Sequence, residues 1–384
     1  MKSLAWQGFS DFIRNKTMAE ALKNIYNTQF FDIFTHALLK IVPLCDTATL
    51  LNDIHDDQWE TRELKHRMRH ISTSLKSCLP ADYKRAVAVI IELVECLKNT
   101  HPGLSFEYMF LPDFIEQFGL NDFKTSVAAL EKITQFTSCE FAVRPFIVTY
   151  PEKMMAQMRR WSRHDHPAVR RLSSEGCRPR LPWAMALDAF KDDPAPIFPI
   201  LENLKNDTSE SVRKSVANNL NDISKDHPTI IIDRVKKWKG NGKYTDWIIK
   251  HGSRTLLKQG NLDVMKLFGF GSVNDIRITQ FGILHQNVKI GDALEFTFRL
   301  KNVSRKDVKV RLEYGLYFQK ANGSLSKKVF KISEKSVAGA SSITIVRKQS
   351  FKLITTRKFY TGKHKVSIIV NGVEFQIRDF NLLV

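Results

Sequence analysis

Three stretches of the chain bring acids, arginines and an aromatic together at spacings that can do chemistry. In Ser138-Cys139-Glu140-Phe141-Ala142-Val143-Arg144-Pro145-Phe146, an acid and a base stand four residues apart. On a helix that spacing also makes an ordinary surface ion pair. In Arg170-Arg171-Leu172-Ser173-Ser174-Glu175-Gly176-Cys177-Arg178-Pro179-Arg180-Leu181-Pro182-Trp183, four arginines, one carboxylate and one tryptophan fall within fourteen residues. Guanidinium forks grip phosphates in bidentate fashion. Gly176, Pro179 and Pro182 break the helix, and such a loop is costly unless it has a task; the plain alternative is an irregular connection with solvated charges. In Ser215-Val216-Ala217-Asn218-Asn219-Leu220-Asn221-Asp222-Ile223-Ser224-Lys225-Asp226-His227-Pro228, Asn219 and Asp222 share a helical face. By itself this reads as a polar helix end.

The elements that must position these residues are helices. Apolar residues recur at three and four, as in Ile90, Leu93, Val94 and Leu97. The run Asn206-Asp207-Thr208-Ser209-Glu210-Ser211-Val212-Arg213-Lys214 echoes His164-Asp165-His166-Pro167-Ala168-Val169-Arg170-Arg171, and Asn121 to Val127 is a weaker copy. Val127, Val169 and Val212 lie 42 and 43 residues apart, a period typical of HEAT and armadillo repeats. Asp or Ser is expected to cap each helix, Val to pack on its neighbour, and Arg to point out of the stack. The expectation is an all-α HEAT-like repeat solenoid over residues 1–268, whose curved stack can hold an extended polymer.

Near residues 268–275 the texture changes to alternation. Leu294 to Leu300, Val308 to Leu312 and Val366 to Val370 read apolar–polar at period two, separated by Gly291-Asp292, Asn322-Gly323 and Asn371-Gly372. Asn-Gly between two strand-like runs is a strong hairpin signal. About seven strands in this length predict an all-β immunoglobulin-like sandwich over 273–384, without cysteine. Phe268-Gly269-Phe270-Gly271-Ser272 is the linker.

Composition narrows the partner. The 384 residues are 43% hydrophobic and carry 59 Lys and Arg against 40 Asp and Glu, a net charge of +19. From Gly271 onward, 21 basic residues face 8 acidic ones, so two-thirds of the surplus lies in under a third of the chain. Such an excess attracts polyanions. No apolar run is long enough for a membrane-spanning helix, and Met1 to Trp6 lacks the pattern of a signal peptide. A cytoplasmic protein is expected. The five cysteines, Cys45, Cys78, Cys96, Cys139 and Cys177, form no CxxC pair and are odd in number; reduced, mostly buried thiols are expected rather than a disulfide or zinc site. No P-loop, GxGxxG or His/Cys ligand cluster points to a cofactor or metal.

The run from Arg170 to Trp183, with Glu140 to Phe146 before it and Ser215 to Pro228 after it, resembles the bacterial AlkC family of alkylpurine DNA glycosylases. These are HEAT-like-repeat enzymes related in fold to the AlkD family. The resemblance covers roughly Lys16 to Leu267, and the C-terminal sandwich matches the subgroup with an immunoglobulin-like domain. It implies base excision repair: hydrolysis of the N-glycosidic bond of 3-methyladenine and 3-methylcytosine in double-stranded DNA. By motif position it implies Glu140, Glu175 and Asp222 as active-site carboxylates and Trp183 as the active-site aromatic. It also implies that the lesion can be attacked while still stacked. The acids are therefore expected to converge in one cleft, and Arg144, Arg171, Arg178, Arg180 and Lys214 to contact DNA. In the sandwich Arg305, Lys306, Lys327, Lys328, Arg357 and Lys358 are expected to do the same, in a monomer needing no metal or cofactor. Two other readings fit the composition: a non-catalytic HEAT scaffold on DNA or an acidic protein, and a membrane-surface protein using the basic sandwich.

Overall fold

The computed structural model describes residues 22–100, 105–353 and 358–384, so Arg357 lies outside the described residues. Its helices begin with α1 (Thr28–Ile41), α2 (Thr47–Ile54), α3 (Leu64–Ser74), α4 (Tyr83–Thr100), α5 (Phe110–Phe118) and α6 (Phe123–Ile133). There follow α7 (Val143–Thr149), α8 (Pro151–Trp161), α9 (Pro167–Glu175), α10 (Asp188–Asp192), α11 (Phe198–Leu204) and α12 (Glu210–Ile223). The last are α13 (Pro228–Trp238), α14 (Lys243–Gly252), α15 (Arg254–Lys258) and α16 (Leu262–Leu267). Among the described residues no helix is long and apolar enough to cross a membrane.

The repeat valines are buried as their spacing predicts: Val127, Val169 and Val212. The caps differ from expectation. Asp122 does cap α6, accepting from the Thr125 amide at 3.1 Å. Helix α9 is capped by His166, whose Nδ1 accepts from the Ala168 amide at 3.3 Å, and Ser209 stands before α12 without a capping bond; an arginine braces the loop before each. Arg170 donates from Nη1 to the carbonyls of His164 (2.9 Å) and Asp165 (2.7 Å). Arg213 does the same to Asp207 (3.0 Å) and Thr208 (2.6 Å). So these arginines do not point out of the stack. Each folds back on the loop before its own helix, and Arg170 also grips Asp207 of the next repeat through Nε (2.6 Å) and Nη2 (3.1 Å). One repeat is thereby bolted to the next by a bidentate charge-assisted contact.

The cysteine expectation is corrected at one pair. Cys45 and Cys78 are joined as a disulfide, with their Cα atoms 5.0 Å apart, while Cys96, Cys139 and Cys177 are free. The helices between them return the chain on itself, a closure that a 33-residue separation does not reveal.

The strands are β1 (Ile276–Ile283), β2 (Asn287–Lys289), β3 (Ala293–Asn302), β4 (Val308–Gln319), β5 (Leu325–Val337), β6 (Ser342–Ser350), β7 (Gly362–Val370) and β8 (Val373–Leu383). They form a three-stranded sheet, β1-β3-β6, and a five-stranded sheet, β2-β8-β7-β4-β5. Alternate residues of each sheet meet in one core: Phe296, Phe298 and Leu300 from one, Leu312, Tyr314, Leu316 and Ile368 from the other. Asn371 and Gly372 both have positive φ, 46° and 80°, as the two-residue turn joining β7 to β8 requires.

Two compact units result. One runs to Asp226 and takes in Gly240–Ile249; the other joins His227–Lys239 to Lys250–Val384. Helix gives way to strand between Leu267 and Ile276, near the expected linker, but the second unit also contains α13, α15 and α16.

Candidate active site

Helix α9 packs against α12 through small residues: the Ser174 and Ser215 hydroxyls meet at 2.6 Å, and Asn219 Nδ2 donates to the Ser174 carbonyl at 2.8 Å. This close approach brings the last turn of α9, with Glu175, beside Asp222 on α12. At Gly176, where α9 ends, an added Cβ would lie 2.6 Å from Val143 Cγ2 and 3.0 Å from the Leu172 carbonyl, so a side chain there would force the packing apart. The chain turns, and Arg178 folds back between the two acids. Its Nη1 donates to Glu175 Oε1 at 2.7 Å and its Nε to Asp222 Oδ2 at 2.9 Å. Arg171, one turn earlier, forks onto Glu140 at 3.3 and 3.4 Å. The three expected carboxylates thus belong to one buried network carried by three successive repeats.

The electrostatics follow from this alternation. Burial alone would raise the Glu175 carboxyl, but the charges of Arg171 and Arg178, with hydrogen bonds from Ser215 and Arg178, hold it below its usual value. Burial would lower the two arginines, and their facing acids raise them. Asp222 Oδ1 meets Lys225 Nζ at 3.1 Å; the lysine side chain is 40% exposed and the aspartate 3%. Lys225 is therefore the solvent-facing member of an otherwise buried set.

The loop after Arg178 carries Trp183. Arg144 pins it from inside, donating from Nη1 to the carbonyls of Gly176 (2.9 Å) and Arg178 (2.8 Å) and from Nε to Met185 (2.7 Å). Burial brings the Arg144 guanidinium down to about 10, which leaves it charged at neutral pH. From outside, Lys65 on α3 donates to the Trp183 carbonyl at 2.6 Å. Trp183 itself has φ of 66°, and the residue is 54% exposed. A bulky residue in the left-handed region costs roughly 1–3 kcal/mol and persists only where its surroundings impose it.

Several expected phosphate contacts are placed differently. Arg144, Arg171 and Arg178 are buried and donate to carbonyls or carboxylates, while Arg144 Nη2 is buried without a hydrogen-bond partner. They hold the acids and the loop rather than offering free guanidinium to a backbone phosphate. Arg180 is more open and pairs with Asp226 at 2.5 Å; Lys214 pairs with Glu210 at 2.7 Å along its own helix. In the sandwich Arg305, Lys306 and Lys358 are exposed. Lys327 and Lys328 lie near the start of β5, Lys327 paired with Glu374 at 2.8 Å. Sequence reasoning missed Lys225, whose three-residue spacing from Asp222 was a signal, and Lys65, for which the sequence held none. Among the described residues, no group of three His, Cys, Asp or Glu side chains could hold a metal ion.

The chain is similar to known proteins. Residues 123–256 match the model of the DNA alkylation repair enzymes, and residues 277–384 that of the C-terminal Ig-like domain of the uncharacterised protein YhaZ. Uncharacterized protein YhaZ of Bacillus subtilis (strain 168) is 42% identical over 361 residues, covering 94% of this chain and 99% of that one. The structure of Pseudomonas fluorescens alkylpurine DNA glycosylase AlkC, bound to DNA containing an abasic site analog, superposes with a TM-score of 0.90 at 34% identity, covering 95% of this chain and 100% of that one. With both halves matched and the likeness running nearly end to end, the chain belongs to the AlkC family of DNA alkylation repair proteins, with a C-terminal immunoglobulin-like domain.

Proposed function

We propose that the protein hydrolyses the N-glycosidic bond of cationic alkylated bases, 3-methyladenine and 3-methylcytosine, in double-stranded DNA. The observation that carries this reading is the set of three buried carboxylates linked through Arg171 and Arg178. A surface meant only to hold a polyanion has no use for inward acids, since carboxylates facing phosphates repel them.

An N3-alkylated purine or pyrimidine already bears positive charge, so it leaves without being protonated. The remaining barrier is formation of an oxocarbenium-like deoxyribose and its capture by water. Carboxylates beside the sugar stabilise that cation, and one of them orients or deprotonates the water. Arg171 and Arg178 hold Glu175 below its usual value and fix all three acids in place, so little reorganisation is needed when positive charge develops. Trp183 supplies an exposed π-face for a cationic base or sugar. Neutral bases gain nothing from such a site, which makes the selectivity electrostatic.

The test is release of free 3-methyladenine and 3-methylcytosine from methylated duplex, comparing the protein with Asp222→Asn. The substitution keeps shape and leaves Arg178 paired with Glu175. Loss of one such charge is expected to cost about 2.7–4 kcal/mol of barrier, or a 10²–10³-fold slower single-turnover rate. DNA binding without base release by the unaltered protein would favour the scaffold reading instead.

A further inference from the structure

We propose that Lys65, on a helix outside residues 123–256 that match the model of the DNA alkylation repair enzymes, is a positioning residue of the active site. It ties the Trp183 loop to the Glu140 turn. The inference rests on the function proposed above and assigns a role within the same site.

Two contacts from one ammonium carry it. Lys65 Nζ donates to the Trp183 carbonyl at 2.6 Å, across 118 residues of sequence, and lies 5.2 Å from the centroid of the Phe141 ring. Phe141 follows Glu140 directly, so the two site segments meet at this lysine. Trp183 keeps a backbone conformation that bulky residues avoid, and the hydrogen bond fixes the peptide that this conformation turns outward. Phe141 borders a small cavity of about 50 Å3, lined also by Lys65, Arg69, Asp113, Glu116 and Ser138. The neighbouring acids pair directly with Arg69, Asp113 at 3.1 Å and Glu116 at 2.5 Å. The Lys65 charge acts on both from further off, and its hydrogen bond goes to the loop. Arg144 holds the inner carbonyls of that loop and Lys65 its tip, so the exposed indole is presented in one place.

The test compares Lys65→Met and Lys65→Arg in the full chain. Lys65 is exposed, so both variants are expected to fold. Three readouts are taken: single-turnover release of 3-methyladenine at saturating protein, salt-dependent binding to duplex with an abasic-site analogue, and amide exchange across residues 179–187. Lys65→Met is expected to slow release by roughly ten- to a hundredfold, the scale of a misplaced catalytic group, and to speed exchange in 179–187. Affinity and salt slope should stay as they were, because this charge is spent within the protein. Lys65→Arg, which still donates and covers a ring, is expected to restore most of the rate. An unchanged rate in Lys65→Met would overturn the proposal. So would weaker binding with a salt slope lowered by about 1, the mark of a phosphate contact. If the unaltered protein releases no base, it is the functional reading that fails. The exchange measurement then decides alone whether Lys65 holds the loop, and unchanged exchange rejects it.

Discussion

At the candidate site Glu175 and Asp222 share Arg178, yet they are not equivalent. Glu175 sits between Arg171 and Arg178, both buried, whereas Asp222 has one buried partner and one, Lys225, that reaches solvent. Removing a buried partner of an ion pair leaves the other charge uncompensated, and that penalty is large. Glu175→Gln weakens the balance of two buried arginines, each of which keeps one other acid, so a loss of about 1–3 kcal/mol is expected. Asp222→Asn should cost less, because Lys225 can turn to water. Urea unfolding of both variants checks this; equal losses would show that Lys225 does not relieve the site. Lys225 supports a second expectation. An incoming phosphate can take the lysine from Asp222, baring Oδ1 as DNA arrives. Lys225→Met should then weaken binding to abasic duplex and lower the salt slope by about 1, with the single-turnover rate at saturation kept or raised. An unaltered slope would make the pair a plain helix-surface contact. The three acids were singled out in the sequence by motif position within the family resemblance. Their partners were not: residue type gives arginine a charge but not a side of the surface, so Arg144, Arg171 and Arg178 read as phosphate contacts until packing put them inside.

Among the elements, periodicity carried most of the information. The 42- and 43-residue spacing of Val127, Val169 and Val212 found the repeats, and Asn371-Gly372 found a hairpin, because each depends on local geometry. Long-range closures left no such trace. The Cys45–Cys78 bridge depends on how α2 and the helices after it turn back, and the fold-back of Arg170 onto its own loop competes with an outward course that the sequence equally allows. Strand β4 is another case. It reads as alternating, but Arg311 and Glu313 on its second face are buried, paired at 2.6 Å, with Glu334 of β5 accepting from Arg311 at 2.7 Å. Burial pushes the Glu334 carboxyl up, but hydrogen bonds from Lys250 and Lys331, and their charges, bring it down to about 2. A folded value below the ordinary one of about 4.3 means stability that is fully present above that range and lost as pH falls through it toward 2. Glu334→Gln is therefore expected to lower the melting temperature at pH 7, with the gap to the unaltered protein narrowing as pH approaches 3. A gap that stays constant over this range would show that the carboxylate charge is not what matters.

For the whole molecule, the basic sandwich raises the question of what its surplus charge does, and the packing dictates how to ask. The last helices and the sandwich share one compact unit. Gly260 and Gly372 touch so closely that a Cβ on Gly260 would lie 2.9 Å from the Gly372 carbonyl, and one on Gly372 2.4 Å from Gly260 Cα. Lys309 donates to the Phe268 carbonyl at 2.9 Å, and Asn371 to that of Gly271 at 3.0 Å. Cutting after Phe268 severs these contacts and divides a compact unit in two. The fragment 1–268 is accordingly expected to melt lower than the full chain, and its DNA affinity would mix charge with damage to the fold. The charge has to be removed in the intact protein. Arg305, Lys306 and Lys358 are exposed, so replacing all three with Gln should leave the melting temperature nearly unchanged. If these side chains meet phosphates, the plot of log affinity against log salt loses about 0.9 of slope for each contact. Binding to damaged and undamaged duplex should weaken alike, because phosphate contacts carry no sequence or lesion information. The single-turnover rate at saturating protein should hold, since the acids lie in the other unit. A triple variant with the full slope and affinity would assign the surplus to solubility and to guarding the sheet edges, as lysines do on many exposed strands.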